Sequence, residues 1–229
     1  IALATVILPN LSKNHAAENS VAFSRSLDWG LRWVLLIGLP AAIGLLLLAE
    51  PILSTLFQYN EFTRNDVVMA GRSLMAYSIG LLGFILVKVL IPGFSSRKDM
   101  KTPVRFGIYS MCLNMALNIA LVFPLAHAGL ALATSLGAFF NASLLLGKLL
   151  KDKIYVPGKG WFVFFARVFV ANAVMAALLF FYVNTAQWSD WKLVDRAANL
   201  AIWIGLAVLV YFLVLGLIGM RPRHVSGRS

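Results

Sequence analysis

The sequence predicts an all-α fold, a polytopic bundle of transmembrane helices. Hydrophobic residues make up 60% of the 229 positions and charged residues only 13%, whereas a soluble domain of this length needs a charged surface. The mean hydropathy is +0.83, and the apolar residues are gathered into long runs. Because these runs stay apolar for about 20 residues, they predict helices rather than the shorter alternating strands of a membrane barrel.

Six apolar runs are each long enough to cross a hydrocarbon core of about 30 Å as a helix. They cover 33–50, 67–92, 106–125, 128–147, 161–183 and 197–220. The first eight residues, IALATVIL, read as the end of a further helix, and no charged segment typical of a signal peptide precedes them. We therefore expect the chain to be the C-terminal part of a larger, transporter-sized protein.

Proline, glycine and aromatic residues lie within these runs or at their ends. The first complete run contains Gly38, Pro40 and Gly44. Proline removes a helical hydrogen bond, so a kink is expected near Pro40. This pattern fits either a functional hinge or the ordinary composition of membrane helices. Other prolines and the aromatic residues typical of a membrane interface lie at the ends of runs: Pro51, Pro92, Pro124, Pro157, Trp33, Trp161, Trp188, Trp191 and Tyr182.

The basic residues are distributed unevenly between alternate connectors. Fourteen of the 20 Lys and Arg lie before residue 33, in 97–105, in 148–159 or after residue 220; three lie in the intervening connectors and three within runs. The positive-inside rule therefore predicts that the basic connectors and the C-terminus are cytoplasmic. The net charge of +11 indicates contact with anionic lipids rather than with nucleic acid, because the charges are dispersed over four segments.

Arg72 and Lys88 lie inside one predicted span and are candidates for contact with a substrate in a cavity. They are about 24 Å apart along a helix and about 160° apart around it, so they cannot form a single site. Charged groups within a membrane are costly and often functional. Each side chain could instead reach the nearer membrane interface, which is the role we assign to Arg167.

Three neutral polar residues form a second candidate site. Asn114 and Asn118 lie on one face of the span 106–125, and Thr134 lies on the next span. A turn near Ala126 places Asn118 and Thr134 at the same depth in antiparallel helices. Their oxygens suit a hard cation, and sodium is the candidate, although a carboxylate or several carbonyls are also expected around such an ion. The alternative is interhelical hydrogen bonding by the amides.

The sequence does not predict an enzyme. Cys112 is the only cysteine, and the three histidines, His15, His127 and His224, lie in different segments without metal-ligand spacing. No pair of carboxylates lies within a predicted span. Catalysis in a membrane requires placed acids, bases or metal ligands, so a transport function is favoured over an enzymatic one.

The order of several segments resembles a known family. These segments are ATVILPNLS, GLPAAIGLLLLAEPI, LFQYNEFTRNDV and a span ending in KVLIPGFSSRKDMKTPV, followed by the span with the two asparagines. In this order they are similar to the C-terminal half of the MurJ/MviN lipid II flippases, within the multidrug/oligosaccharidyl-lipid/polysaccharide exporter superfamily. The most specific part is the SxRxDxKTPV connector, and the resemblance covers the chain from Ile1 to its tail.

The resemblance implies the C-terminal lobe of a two-lobe flippase in the bacterial inner membrane, followed by two additional helices. Residues 1–150 would then belong to the lobe, and 151–229 to the additional pair, whose groove is thought to receive a lipid tail. The expected substrate is the undecaprenyl-diphosphate-linked precursor of peptidoglycan. The expected partners are membrane lipids and the N-terminal lobe, whose cavity arginines have no counterpart in this chain.

Two other functions remain open at this stage. Export of drugs or of polysaccharide lipids, as in other members of the superfamily, would favour acidic residues in the cavity over Arg72 and Lys88. A membrane scaffold that docks cell-wall enzymes through its basic connectors would need neither. Arginines within the N-terminal spans would favour the flippase, and carboxylates there would favour the drug exporter.

Overall fold

The computed structural model describes residues 2–17, 19–59, 61–183, 188 and 191–220, with side chains from Leu8 onward. The described residues form helices and no strand. In chain order the helices are α1 Ala2–Ala16, α2 Ser20–Leu47, α3 Ala49–Phe57, α4 Arg64–Ser95, α5 Lys101–Lys151, α6 Trp161–Tyr182 and α7 Leu193–Leu217. The predicted all-α bundle is therefore confirmed.

Among the described residues, α2, α4, α5, α6 and α7 are long and apolar enough to cross a membrane. Helix α5 has 51 residues and breaks at Ala126, where φ is 48° and ψ is −126°. The break separates a first arm, 101–125, from a second arm, 127–151, and these arms correspond to two predicted spans. The turn expected near Ala126 thus lies at that residue. Across it, a Cβ added to Gly129 would lie 2.2 Å from the Leu121 carbonyl oxygen, so the tight approach of the arms requires glycine.

Helix α2 does not coincide with the predicted first span, 33–50, at either end. Helix α2 begins at Ser20, where the Asn19 side chain accepts a hydrogen bond from the Ala22 amide at 2.9 Å. It continues through Pro40 and ends at Leu47, and α3 starts two residues later. The helix can start this early because Asp28 and Arg32 form an ion pair, which allows both charges to be buried in a packed helix.

Small residues allow α4 and the second arm of α5 to pack closely. The Ser135 hydroxyl donates to the Ala76 carbonyl at 2.7 Å. A Cβ added to Gly80 would lie 2.6 Å from the Ser135 Cα, and one added to Gly83 would lie 2.9 Å from the Phe139 amide nitrogen. Such contact between backbones is the usual way in which membrane helices gain van der Waals energy without a hydrophobic driving force.

Replacement of Gly80 by alanine is therefore expected to force these helices apart. We expect a loss of about 1–3 kcal/mol, the usual cost of overpacking a close contact, measured as a lower melting temperature of the purified full-length protein. Gly107→Ala is the matched control, because an added Cβ there meets no atom within 4 Å. Equal melting temperatures for the two variants would contradict the packing described here.

Two apolar clusters make up the core, and α2 contributes to both. The first joins α1, α2, α4 and the second arm of α5 through side chains such as Leu27, Phe94 and Leu145. The second joins α2 to α6 and α7 through side chains such as Phe164 and Tyr211. Helices α6 and α7 therefore meet the other described helices mainly along α2 and α3.

Candidate functional site: an apolar groove and its polar attachments

An apolar groove lies between α2 and α7, with smaller contributions from α3 and α6. It has a volume of about 350 Å³. A Cβ added to Gly44 would meet no atom within 4 Å, so the backbone of α2 itself forms part of the groove floor. The groove is lined by Leu36, Ile37, Pro40, Ala41, Gly44, Leu45, Leu48, Ile52, Met175, Ile204, Ala207, Val208, Tyr211 and Phe212. Walls of this kind offer contacts to apolar groups and almost none to polar ones.

A proline and a tyrosine join the two walls of the groove. Pro40 has no N–H, so the Leu36 carbonyl four residues earlier loses its helical partner. The Tyr211 hydroxyl of α7 donates to that carbonyl oxygen at 2.8 Å. A backbone acceptor that would otherwise be buried without a partner is thereby satisfied, which avoids a cost of about 1–3 kcal/mol. Pro40 thus creates the point on α2 to which α7 attaches.

A buried carboxylate attaches the connector 152–160 and the start of α6 to α2. Asp28 and Arg32 are only 5% and 6% exposed, and the Arg32 Nε donates to an Asp28 oxygen at 2.8 Å. The other Asp28 oxygen accepts from the Tyr155 hydroxyl at 2.8 Å, the Gly158 amide at 3.0 Å and the Trp161 indole at 2.7 Å. Both oxygens of this buried charge therefore have donors, as burial of an ion requires.

The Arg32 side chain extends the same attachment. Its guanidinium donates to the Lys159 carbonyl at 3.1 Å and lies 5.2 Å from the centre of the Trp161 ring. Burial, with the hydrogen bond to Asp28, raises the pKa of Tyr155 well above its usual value, so the phenol stays protonated and donates at all physiological pH values. Asp28, Arg32, Tyr155, Gly158 and Trp161 together are called the Asp28 cluster below.

The other end of the groove is also held by polar contacts. The Arg196 guanidinium of α7 donates to the Ser54 carbonyl at 3.1 Å, and the Trp188 indole donates to the Thr55 hydroxyl at 3.1 Å. Both acceptors belong to α3, near its C-terminal end, where the helix dipole favours a cation such as Arg196. The positive-inside count places Arg196 in a connector, whereas in the structure it lies buried within α7.

The structure places Arg72 and Lys88 on opposite sides of α4. Both are exposed, and neither makes a hydrogen bond or ion pair with another residue in the part of the chain that the structure describes. Lys88 lies 11 positions after Tyr77, about three helical turns, so the two side chains leave the helix axis in directions that differ by only about 20°. Tyr77 lines an open cleft of about 480 Å³ that sequence reasoning missed, together with Phe62, Asp66, Met69, Ala70, Ser73, Leu74 and His127. Lys88, but not Arg72, shares the face of this cleft.

Two of the three predicted oxygen donors come together. The Asn118 amide donates to the Asn114 side-chain oxygen at 2.7 Å, and the Asn118 oxygen is buried without a hydrogen-bond partner. The Thr134 hydroxyl instead donates to the Leu130 carbonyl of its own helix at 2.9 Å. The described residues hold no group of three His, Cys, Asp or Glu side chains near one another. Neutral oxygens of this kind fit a monovalent hard cation better than a divalent one.

The helical bundle, its lateral groove and its membrane-length helices define a multi-pass membrane protein. A sequence profile described as lipid II flippase MurJ matches residues 1–201. The probable lipid II flippases MurJ of Vibrio cholerae and Haemophilus influenzae are 46% and 41% identical to the chain and align with 100% of it. A solved structure of lipid II flippase MurJ in an inward closed conformation has a TM-score of 0.75 over 95% of the chain, at 22% identity.

The chain belongs to the lipid II flippase MurJ family. It spans 44% and 46% of the two relatives and 42% of the solved structure, and it covers the C-terminal part of the relatives.

Proposed function

We propose that this chain forms the C-terminal lobe of an inner-membrane lipid II flippase and that its groove receives the tail of the transported lipid. The observation that carries the proposal is the groove itself, whose apolar walls open between α2 and α7 in a chain of this family. The N-terminal lobe would come from the part of the relatives that the chain does not cover. The family match, rather than the groove, favours the flippase over a drug exporter or a scaffold.

The proposed role of the groove is to fix the position of the lipid tail rather than to bind the tail tightly. Lipid chains are as apolar as the groove walls, so a tail that leaves the bilayer for the groove gains little hydrophobic free energy. A fixed groove does confine the tail to one side of the lobe, beside the cavity in which the diphosphate crosses. Rocking of one lobe against the other would then expose the headgroup to each side of the membrane in turn.

Lys88 is the proposed contact of this lobe with the diphosphate. A diphosphate that leaves water needs cationic partners, and Lys88 is an exposed cation on the α4 face that also lines the cleft. Arg72 is proposed to extend toward the interface, because it lies on the opposite side of the helix. The proposed function requires no catalytic step, since flipping makes and breaks no covalent bond.

The asymmetric distribution of basic residues supports a cytoplasmic C-terminus. Single cysteines placed in 93–104 and 148–160 are expected to react with an impermeant maleimide only from the cytoplasmic side, and those in 52–66 only from the opposite side. Cys112 should first be replaced by serine, because it is exposed. Labelling of both groups of positions from the same side would contradict the proposed orientation.

Asn114, Asn118 and Thr134 are proposed to bind a sodium ion through their side-chain oxygens. The buried Asn118 oxygen without a hydrogen-bond partner supports the proposal, and a carboxylate from the other lobe would complete the ligand set. Sodium at 100 times its dissociation constant should stabilise the folded full-length protein by about 2.7 kcal/mol. We therefore expect a higher melting temperature in sodium than in potassium at equal ionic strength.

Asn118→Leu is expected to remove this difference between sodium and potassium. The matched control is Asn141→Leu, which removes an asparagine with a buried unpaired oxygen from the second arm of α5 and should keep the sodium effect. If the wild-type protein shows no sodium-specific change, the two amides serve only to hold helices together.

A further inference from the structure

The groove walls belong to helices that are far apart in the sequence, and besides the second apolar cluster a few polar contacts set the position of one wall relative to the other. Between α2 and the α6–α7 pair these contacts occur at three heights. The Asp28 cluster lies before the groove begins at Leu36, Tyr211 contacts Leu36 beside it, and α3 carries the contacts to Arg196 and Trp188 beyond it. Of the three, the Asp28 cluster contains the most hydrogen bonds to a single side chain.

We propose that Asp28 is a positioning residue for the groove. It holds α6 and α7 against α2, so that the groove keeps its shape and follows α2 when the lobe moves. This inference rests on the proposed function, because it concerns the same groove. Asp28 does not line the groove and would not touch the tail. It acts through Trp161, the first residue of α6, and through the connector that precedes it.

The arrangement of donors around Asp28 supports a role in positioning. Asp28 accepts hydrogen bonds from Arg32 of α2 and from three donors in the segment 155–161. Arg32 in turn donates to the Lys159 carbonyl in the same segment. A Cβ added to Gly158 would lie 3.1 Å from an Asp28 oxygen, so the connector passes directly against the carboxylate. Ser24, one turn earlier, forms reciprocal bonds with Val156: its hydroxyl donates to the Val156 carbonyl and accepts from the Val156 amide, at 3.0 Å and 2.9 Å.

The experiment compares two substrates in proteoliposomes that contain the full-length protein. One is the lipid-linked precursor with its full polyprenyl tail, and the other is an analogue whose tail is too short to occupy the groove. Asp28→Asn keeps the size of the side chain but removes the charge that Arg32 pairs with. We expect this variant to transport the long-tailed substrate about tenfold less efficiently while transport of the short-tailed analogue stays at the wild-type level.

A general structural defect would lower transport of both substrates in the same proportion, and that result would overturn the proposal. If Asp28→Asn does not accumulate as a folded protein, Tyr155→Phe and Trp161→Phe each remove one donor but leave the ion pair in place. Each is expected to produce a smaller loss that is again confined to the long-tailed substrate. Equal losses for both substrates in these variants would also overturn the proposal.

A covalent link in place of the cluster tests positioning directly. Ser24→Cys and Val156→Cys, in a Cys112→Ser background that also carries Asp28→Asn, place thiols on the two residues that are joined by the Ser24 hydroxyl and the Val156 backbone. Oxidation to the disulfide is expected to restore transport of the long-tailed substrate, and reduction to abolish the recovery. Failure of the disulfide to restore transport would contradict a positioning role. Absence of transport of either substrate by the wild-type protein would instead refute the proposed function.

Discussion

Gly44→Trp in the full-length protein is expected to lower transport of the lipid-linked precursor at least about tenfold. This corresponds to a loss of about 1.4 kcal/mol of transition-state stabilisation when the tail is excluded from the groove. The substitution places an indole ring in the open space above the α2 backbone, on the floor of the groove. Because no atom lies within 4 Å of an added Cβ there, the ring should fill the groove without displacing a helix. Flipping of a fluorescent precursor in proteoliposomes measures the effect.

The control for this experiment is Gly147→Trp. Gly147 also has open space around an added Cβ, but it lies on the second arm of α5 and does not line the groove. We expect this variant to transport at the wild-type rate and both variants to melt at the wild-type temperature. Wild-type transport by Gly44→Trp would show that the tail does not occupy the groove.

Lys88→Ala is expected to abolish complementation in cells that depend on the protein, while the amount in the membrane stays normal. Loss of this ammonium would leave a diphosphate oxygen without a partner in the cavity, and an unpaired charge away from water costs at least several kcal/mol. Stability should not change, because Lys88 is exposed and makes no hydrogen bond or ion pair with the other residues described. Growth after depletion of the chromosomal copy is the measurement.

Two further variants separate charge from geometry at this position. Lys88→Arg retains the cation and is expected to restore most of the activity. Arg72→Ala removes the other cation of α4 from the opposite side of the helix and should leave activity unchanged. If Lys88→Ala complements fully, Lys88 reaches only to the membrane interface and contributes nothing to substrate binding.

The sequence predicts the helices well because a long apolar run is a local feature of the chain. The hairpin in α5 illustrates this: two apolar runs meet at Ala126, and the structure turns there. The start of α2 could not be predicted in the same way. Arg25, Asp28 and Arg32 have the composition of a connector, and only the folded chain shows that Asp28 and Arg32 both bind a segment more than 120 positions away.

The candidate sites differ in the same respect. The contact between Asn114 and Asn118 follows from helical spacing, and the structure contains it. The prediction for Thr134 depends on depth alone, and in the structure its hydroxyl donates to a carbonyl of its own helix. The groove has no local pattern, because its walls come from distant helices. Pro40 was the only available clue: a proline implies a carbonyl without a partner four residues earlier, but not that Tyr211 would supply one.

The bond between Tyr211 and the Leu36 carbonyl also bears on how fast a guest could travel along the groove. A bare peptide oxygen in the wall would be a dipole that any passing water or headgroup could bind, and each such encounter would delay a sliding chain. With the Tyr211 hydroxyl occupying that oxygen, the wall presents a more uniform, weakly adhesive surface. In the proposed flippase, weak adhesion would let the tail leave the groove after every cycle, so the bond would lower friction as well as join the two helices.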